Sequence, residues 1–277
     1  MAHSASHVAW REIGIGLVVP AAVIALWQLV SHFEWVNPQV LPSPLAVVAK
    51  WIEYLLPLQP HDPATQSWLA WALSGDLLHD SLGSLYRVAT GFLVGAGLAL
   101  PAGLAMGASR RVYAWLNPLV QLLRPIPPIA YIPLSILWFG IGNPPAVFLI
   151  ALGAFFPVLM NTVAGVRQVD GIYLRAARNL GASGTTLFLR VILPAAVPYI
   201  LSGVRIGIGT AFIVVIVSEM IAVNNGLGFR ILEAREYFKS DQVIAGMITI
   251  GLIGLAIDVG MNRLNNHLLR WHRGLEN

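Results

Sequence analysis

Two ionisable side chains interrupt an otherwise uncharged run between residues 197 and 223. Arg205 and Glu219 lie 14 positions apart, close to four helical turns, so they share roughly one face of a helix. Charged groups are expensive in a helix that crosses a membrane, and they are therefore candidates for function. One interpretation is that Arg205 steers an anion while Glu219 closes the outer mouth of a path. The other is that both are structural anchors, each bonded to a neighbouring helix.

Several other polar side chains in apolar surroundings are candidates for the same translocation path. They are Arg124, Trp138, Asn161, Thr162 and Ser218. Arg124 faces either the inner mouth of a cavity or the lipid phosphates that long basic side chains can reach. The amide and hydroxyl groups either line the path or hydrogen-bond helices to one another. Asp258 pairs with Arg263 or with another helix, and we do not assign it to proton transfer.

The sequence lacks the motifs that would let this chain carry out a reaction by itself. A phosphate-binding loop ends in Gly-Lys-Ser or Gly-Lys-Thr, and neither Lys50 nor Lys239 follows a glycine. There is no His-Glu-x-x-His metal motif, no Gly-x-Ser-x-Gly motif and no cysteine. His3 and His7 lie in a polar N-terminal segment, where we expect them to be solvated. We therefore expect no catalytic residue, no metal and no cofactor bound by this chain.

The composition predicts an integral membrane protein. Hydrophobic residues make up 57% of the 277 and charged residues 11%, whereas soluble domains are about half apolar and a quarter charged. A helix needs about 20 apolar residues to cross the hydrocarbon core. Six membrane-spanning helices follow: Ile13 to Val30, Val88 to Ala108, two within Pro125 to Val166, Val197 to Val223, and Gln242 to Asn262. The two within one run are separated by a predicted turn at Gly140 to Pro145.

The distribution of basic residues predicts the orientation of the spans, because they concentrate on the cytoplasmic side. With the N-terminus inside, the cytoplasmic segments receive Arg11, Arg110, Arg111, Arg167, Arg175, Arg178, Arg190, Arg263, Arg270 and Arg273. The outer segments receive Lys50, Arg230, Arg235 and Lys239, and Arg87 lies near a boundary. Both termini are therefore expected to be cytoplasmic. The net charge of +4 reflects these arginines, and we expect no nucleic-acid partner.

Small residues recur every four positions along the second predicted span. They are Gly91, Gly95, Ala99, Gly103 and Gly107. This spacing places them on one helix face, where a neighbouring backbone can approach closely. We interpret the stripe as helix packing within the subunit, with a subunit interface as the alternative.

A cytoplasmic segment precedes the fifth predicted span, and its pattern indicates a surface helix. The spacing predicts a short helix from Gly171 to Leu180, broken at Gly181 and followed by a second short helix that Pro194 ends. Ile172, Ala176, Ala177 and Leu180 share one face of the first helix. An amphipathic helix exposed to the cytosol either fits a groove of a partner protein or lies on lipid headgroups.

This segment resembles the EAA loop of permeases in ATP-binding-cassette importers, which reads Glu-Ala-Ala, three residues, Gly, nine residues, then Ile-x-Leu-Pro. Ala176, Ala177, Gly181, Leu193 and Pro194 stand at that spacing. Arg175 replaces the glutamate, as in members of the nitrate, sulfonate and taurine branch. The resemblance implies that the helix enters a cleft of an ATPase subunit, through residues Ile172, Arg175, Ala176, Ala177, Leu180, Gly181, Ala182, Ser183, Leu193 and Pro194.

Further motifs extend the resemblance from Val36 to Trp271. They are Leu41-Pro42-Ser43-Pro44, Ser84-Leu85-Tyr86-Arg87, Arg124-Pro125-Ile126-Pro127-Pro128, Trp138-Phe139-Gly140-Ile141-Gly142, Gly203-Val204-Arg205-Ile206-Gly207 and Ser218-Glu219-Met220. The resemblance implies an all-α membrane protein with the type I importer architecture. Its organisation would be a tail and first span (1–35), an outer segment with short interfacial helices (36–87), a core permease domain (88–271) with the coupling loop 167–194, and a tail (272–277).

The same resemblance implies how the chain would work. A permease of this kind pairs with a second copy, here expected to be identical, in the bacterial inner membrane. It also works with two ATP-binding subunits, which would hold ATP and Mg, and with a periplasmic substrate-binding protein. The cargo would be a small anion, with taurine or a sulfonate preferred over nitrate. An ion- or proton-coupled secondary transporter is the alternative, but no internal repeat and no acidic group at mid-span supports it.

Overall fold

The computed structural model describes residues 2–57, 67, 68, 71 and 74–269, with side chains from residue 16 onward. Every regular element in these residues is helical. The elements are α1 (Ala2–His32), α2 (Pro44–Leu55), α3 (Asp76–Ala108), α4 (Arg110–Leu123), a 3-10 turn (Pro128–Tyr131), α5 (Ile132–Phe139), α6 (Asn143–Arg167), α7 (Gly171–Asn179), α8 (Gly184–Leu187), a π-helical turn (Phe188–Ile192), α9 (Leu193–Ala222), α10 (Leu227–Glu236) and α11 (Ser240–Leu268).

The first of two compact units comprises Met1–Leu78 and Arg230–Thr249. In it, the predicted interfacial helix is present as α2, whose first turn is capped by Ser43: its Oγ accepts a hydrogen bond from the backbone N–H of Ala46 at 3.2 Å. The Trp51 ring nitrogen donates to the Thr249 hydroxyl at 2.8 Å, which ties α2 to α11 within this unit. Short polar contacts of this kind fix elements that are distant in sequence.

The second unit comprises His79–Phe229 and Ile250–Asn277. Its largest apolar core forms where α6 packs against α9, and the buried side chains there include Leu149, Ile150, Ala154, Ala211, Val214 and Val215. A second core joins α3 to the other end of α6 through residues such as Ala99, Met106 and Leu159. These two cores hold α3, α6 and α9 in place, and all the candidate sites below lie in this unit.

Four helical stretches in the described residues are long and apolar enough to cross a membrane: Asp76–Ala108, Asn143–Arg167, Gly184–Ala222 and Ser240–Leu268. They correspond to the second, fourth, fifth and sixth predicted spans, and all four are therefore confirmed as long helices. The apolar part of α1 with described side chains, Val18–His32, is shorter than a full crossing, so the first span stays a prediction. The cytoplasmic location of the termini also stays a prediction.

The third predicted span begins in the wrong place. The structure has α4, then a bend of 82°, then Pro128–Phe139 in place of one helix starting at Pro125. Prolines lack the backbone N–H that continues a helix, and three of them follow Arg124 within four residues, which explains the bend. Because α4 contains Asn117 and Gln121 as well as arginines, a search for uncharged apolar runs does not find it.

The predicted turn after this segment is present. Gly140 has a φ of +74° and Gly142 a φ of +135°, conformations that glycine adopts without strain. The Gly142 N–H donates to the carbonyl of Ala222 at 2.7 Å, so the turn is fixed to the end of α9. The next helix, α6, then begins with Asn143 and two prolines, which suit a first helical turn.

The stripe of small residues on α3 packs against α6 of the same chain, as predicted. A Cβ added to Gly95 would lie 2.3 Å from the Ala151 carbonyl oxygen, and one added to Gly91 would lie 2.6 Å from the Ile150 side chain. Gly103 and Gly107 are equally crowded, by Thr162 and Val166. The stripe is therefore the contact along which two helix backbones approach each other.

We predict that Gly95→Ala destabilises the protein by roughly 1–3 kcal/mol, because the new methyl group must displace backbone atoms of α6. Gly97→Ala is the matched control, since an added Cβ there meets no atom within 4 Å and alanine favours the helix by up to about 1 kcal/mol. Denaturant unfolding in detergent, followed by tryptophan fluorescence, measures both. Equal stabilities of the two variants would contradict the close packing of α3 on α6.

Candidate functional site

The predicted cytoplasmic helix is present as α7, and its ends are set by local hydrogen bonds. Asp170 caps the start, because its Oδ1 accepts from the backbone N–H of Ile172 at 2.8 Å. At the other end Gly181 has a φ of +85°, and its N–H donates to the Arg178 carbonyl at 2.9 Å. The Ala182 N–H donates to the Ala177 carbonyl, also at 2.9 Å. This paired arrangement is a Schellman end, so Gly181 stops the helix as the sequence predicts.

One face of α7 carries apolar side chains that no described residue of this chain buries. Ile172, Ala176 and Leu180 are exposed, with 88% of Leu180 accessible, while Ala177 is partly buried, so the predicted exposed face is made by three of the four residues. Residues four apart stack on one face of a helix, so the three exposed side chains form a continuous stripe. Arg175 and Ser183 are also exposed, and Ala182 is partly buried. The stripe is thus available to a partner.

The prediction that Pro194 ends the second short helix is wrong. Gly184 to Ala222 is one continuous helical stretch, with Leu193 and Pro194 at the start of α9. The turn before them is a π turn in which the Leu193 N–H donates to the Phe188 carbonyl, five residues earlier. A proline clashes with the carbonyl four residues before it, and widening that turn relieves the clash.

Glu219 lies in a buried polar cluster, which joins α3, α6, α9 and the start of α10. The Arg87 Nη1 donates to Glu219 Oε1 at 2.6 Å, and the two side chains are 3% and 0% exposed. The other oxygen, Oε2, accepts from the Ser84 hydroxyl and from the Gly228 N–H, each at 2.9 Å. Arg87 also donates through Nε to Asn143 Oδ1 at 2.7 Å.

This cluster also fixes the loop between α9 and α10. The Arg87 guanidinium donates to the backbone carbonyl of Asn225 at 3.2 Å and through Nη2 to that residue's side-chain oxygen. The Gly226 N–H donates to Asp80 Oδ1 at 3.0 Å, and the Leu227 N–H donates to Ser84 Oγ at 3.0 Å. Sequence reasoning missed Arg87 as the partner of Glu219, although the spacing of Ser84 and Arg87 by three places both on one face of α3.

Arg205 does not share the surroundings of Glu219. Its Nη2 donates to Asp258 Oδ1 at 2.7 Å, which links α9 to α11, and the two side chains are about half exposed. Both Arg205 and Glu219 therefore bond to a neighbouring helix, which is the structural-anchor interpretation. Asp258 therefore pairs with Arg205 of α9 and not with Arg263 of its own helix.

The remaining path candidates fall into three groups: two buried hydroxyl residues, Trp138, and the pair Arg124 and Asn161. Thr162 and Ser218 are fully buried and donate to carbonyls of their own helices, Val158 and Val215. This geometry gives them packing roles, and their assignment to a path stays a prediction. Trp138 is 56% exposed and packs edge-to-face on Phe148.

Arg124 and Asn161 lie together on one cavity, and no pairing partner for the Arg124 guanidinium occurs among the described residues. The cavity has a volume of about 370 Å³ and is lined mainly by apolar side chains of α6 and α9. No group of three or more His, Asp or Glu side chains that could hold a metal ion occurs in the described part of the chain.

A known protein family matches the larger, C-terminal part of the chain. The sequence profile of the binding-protein-dependent transport system inner membrane component family matches residues 95–274, well over half of the sequence. The chain belongs to this family. It is therefore the permease subunit of an ATP-binding-cassette importer, and ATP hydrolysis takes place on a separate subunit.

Named relatives extend the match over nearly the whole permease. The taurine transport system permease protein TauC of Escherichia coli is 35% identical over 95% of this chain and 91% of its own length. Another Escherichia coli relative, SsuC, named for aliphatic sulfonate transport, is 38% identical over 92% of this chain and 90% of its own. The nitrate import permease protein NrtB of a Synechocystis species is 33% identical, over 87% and 84%.

A solved structure confirms the architecture of the permease. An inward-facing form of the MetNI methionine transporter matches with a TM-score of 0.63 at 17% identity, and the match covers 73% of this chain and 99% of that one. The predicted all-α, type I importer fold is thereby confirmed. The family works in the inner membrane with an ATPase and a substrate-binding protein, and these findings do not favour the secondary-transporter alternative.

Proposed function

We propose that this permease moves a small anionic nutrient from the periplasm to the cytoplasm by alternating access, with taurine or an alkanesulfonate preferred and nitrate next. Two identical copies would form the pathway, each bound to one ATP-binding subunit. The names of three relatives support the class of cargo, since they refer to taurine, aliphatic sulfonate or nitrate transport. Rocking of two helix bundles around a central cavity would expose it to either side in turn.

The observation that carries this proposal is the exposed stripe on α7. Its helix is capped at both ends by its own chain, so it is formed before any partner binds. The apolar side chains of this stripe are exposed among the described residues, and a groove of an ATPase subunit would bury them. Closure of the ATPases on ATP would then move α7, and α7 continues through residues 180–183 into α8 and the long α9 helix.

The experiment that tests the proposal measures ATP hydrolysis by the assembled importer in lipid nanodiscs. The permease is purified with the ATP-binding subunit and binding protein encoded beside it, and taurine, ethanesulfonate, nitrate or no ligand is added. We expect hydrolysis to rise with one loaded binding protein. Gly181→Asp should lose this response, because aspartate is strained at a φ of +85° and the end of α7 would shift.

Two results would contradict the proposal. If no ATPase associates with the wild-type permease, the proposed pairing of the permease with these partner subunits is wrong. If the complex forms but none of the three compounds stimulates hydrolysis or accumulates in vesicles, the class of cargo is wrong. The second result would leave the coupling role of α7 intact.

A further inference from the structure

A cavity of about 370 Å³ lies midway along two of the long helices. Its walls include Gly153 and Pro157 of α6 and Ile206 and Thr210 of α9, all near the middle of their helices. Because α6 and α9 are long enough to span a membrane, the cavity lies at mid-depth of the bundle. Its volume is within the usual range for sites that hold small ligands.

A second cavity, of about 500 Å³, adjoins the first along α4. Arg124 and Met160 line both cavities, so Arg124 stands where the two meet. The second cavity is more polar, because Asn117 and Gln121 line it together with Tyr113. The Tyr113 ring lies 4.0 Å from the Arg167 guanidinium, four residues before α7 begins. The two cavities therefore run from mid-depth toward the end of the bundle that carries the coupling helix.

Arg124 differs from the other buried or mid-depth arginines in having no anionic partner. Arg87 is paired with Glu219, and Arg205 is paired with Asp258. The side chain of Arg124 is exposed, has no hydrogen bond or ion pair in the described part of the chain, and no described carboxylate lines either cavity. An unpaired cation at this depth is expensive unless water or an anion reaches it, which marks it as a functional residue.

We propose that Arg124 binds the oxyanion group of the transported nutrient as it passes from the mid-depth cavity to the cavity beside α4. A guanidinium presents two parallel N–H groups, which match two oxygens of a sulfonate, a nitrate or a carboxylate. Asn161 adds an amide at the same wall: its Nδ2 uses one hydrogen on the Pro157 carbonyl at 2.8 Å and keeps a second for the ligand. This inference rests on the proposed function and adds a specific contact within the spans.

The test compares transport with ATP hydrolysis in the complete importer reconstituted in vesicles. Arg124→Gln should lower the number of taurine molecules accumulated per ATP hydrolysed by about tenfold or more, because a charge-assisted contact to the anion is lost. Hydrolysis stimulated by the loaded binding protein should stay within about twofold, since Arg124 is not part of α7 or of its exposed stripe. Arg111→Gln is the matched control: it removes the same charge from an exposed site on α4 that lines neither cavity.

The absence of cysteine from the chain allows a second, chemical test that does not depend on the glutamine variant folding. Arg124→Cys is assembled into the importer and then modified with a methanethiosulfonate that carries either an ammonium or a sulfonate group. The cationic adduct should restore taurine uptake and the anionic adduct should not. The wild-type complex, treated with the same two reagents, shows whether cysteines of the partner subunits react and change uptake.

Three results would overturn the inference. The first is wild-type transport per ATP in Arg124→Gln, and the second is equal uptake after cationic and anionic modification. In the third, the loss in Arg124→Gln disappears in vesicles made only of zwitterionic lipids, which would mean that Arg124 holds an anionic headgroup. A wild-type importer that carries no anion would instead overturn the proposed function, and this inference with it, before any variant is made.

Discussion

Replacing Ala176 by aspartate is expected to lower binding-protein-stimulated ATP hydrolysis at least tenfold. Ala176 lies at the centre of the exposed stripe on α7, between Ile172 and Leu180. An aspartate there would have to enter the partner groove without a counter-charge, and an unpaired buried charge costs about 2–5 kcal/mol in an interface. Since each 1.4 kcal/mol is tenfold in affinity, the ATPase should dissociate or bind without transmitting its closure.

The matched control for this experiment is Arg178→Gln on the same helix. Both variants change the net charge by −1, but Arg178 points about 200° away from Ala176 around the helix axis. The control should keep most of the stimulated hydrolysis and should co-purify with the ATPase. If both variants lose activity equally, the effect comes from charge alone, and the stripe is not the coupling surface. If Ala176→Asp couples normally, α7 has another role.

Replacing Arg87 by methionine is expected to have the largest effect on stability, a loss of roughly 3–5 kcal/mol. The substitution leaves Glu219 fully buried with its charge uncompensated, and it also removes the donors to Asn143 and Asn225. Desolvation makes such a cluster a poor source of net stability when intact, but breaking it by removing one partner is costly. Denaturant unfolding in detergent, followed by tryptophan fluorescence, gives the free energy of unfolding.

Two further variants separate loss of the ion pair from loss of a side chain. Lys50→Met removes an exposed pair on α2, in which the lysine lies 2.9 Å from Glu53, and it should cost no more than about 1 kcal/mol. The double variant Arg87→Met, Glu219→Gln should recover part of the single-variant loss, because no unpaired carboxylate remains. A double variant that is less stable than Arg87→Met alone would contradict an uncompensated charge as the cause.

The buried cluster also suggests why Glu219 lies near the end of a long apolar helix. Through Ser84 and Gly228 it ties α9 to both α3 and the beginning of α10. Its position on the predicted outer side agrees with a structural anchor that holds the loop from Val223 to Gly226. Arg124, in contrast, has no such anchor among the described residues, and this difference separates a structural arginine from a candidate for ligand binding.

The family, four of the long helices and the short helix α7 are predictable from the sequence alone. These depend on signals within a few residues: the length of an apolar run, the cap by Asp170, the glycine at 181 and the spacing to Leu193 and Pro194. The small-residue stripe on α3 was also readable, because a spacing of four defines a helix face without knowledge of the neighbour. Each of these features is predictable because its physical cause lies within a few neighbouring residues.

Which polar groups meet depends on how the helices pack and cannot be read from local patterns. Glu219 and Arg87 are 132 positions apart, and Arg205 and Asp258 are 53 apart, so their pairing follows from how α3, α9 and α11 pack. A separation close to four helical turns suggested a shared environment for Arg205 and Glu219. However, different neighbours surround each turn of α9. The 82° bend after α4, which brings Arg124 to the two cavities, likewise depends on packing around a proline-rich segment, because prolines end a helix without fixing where the chain goes next.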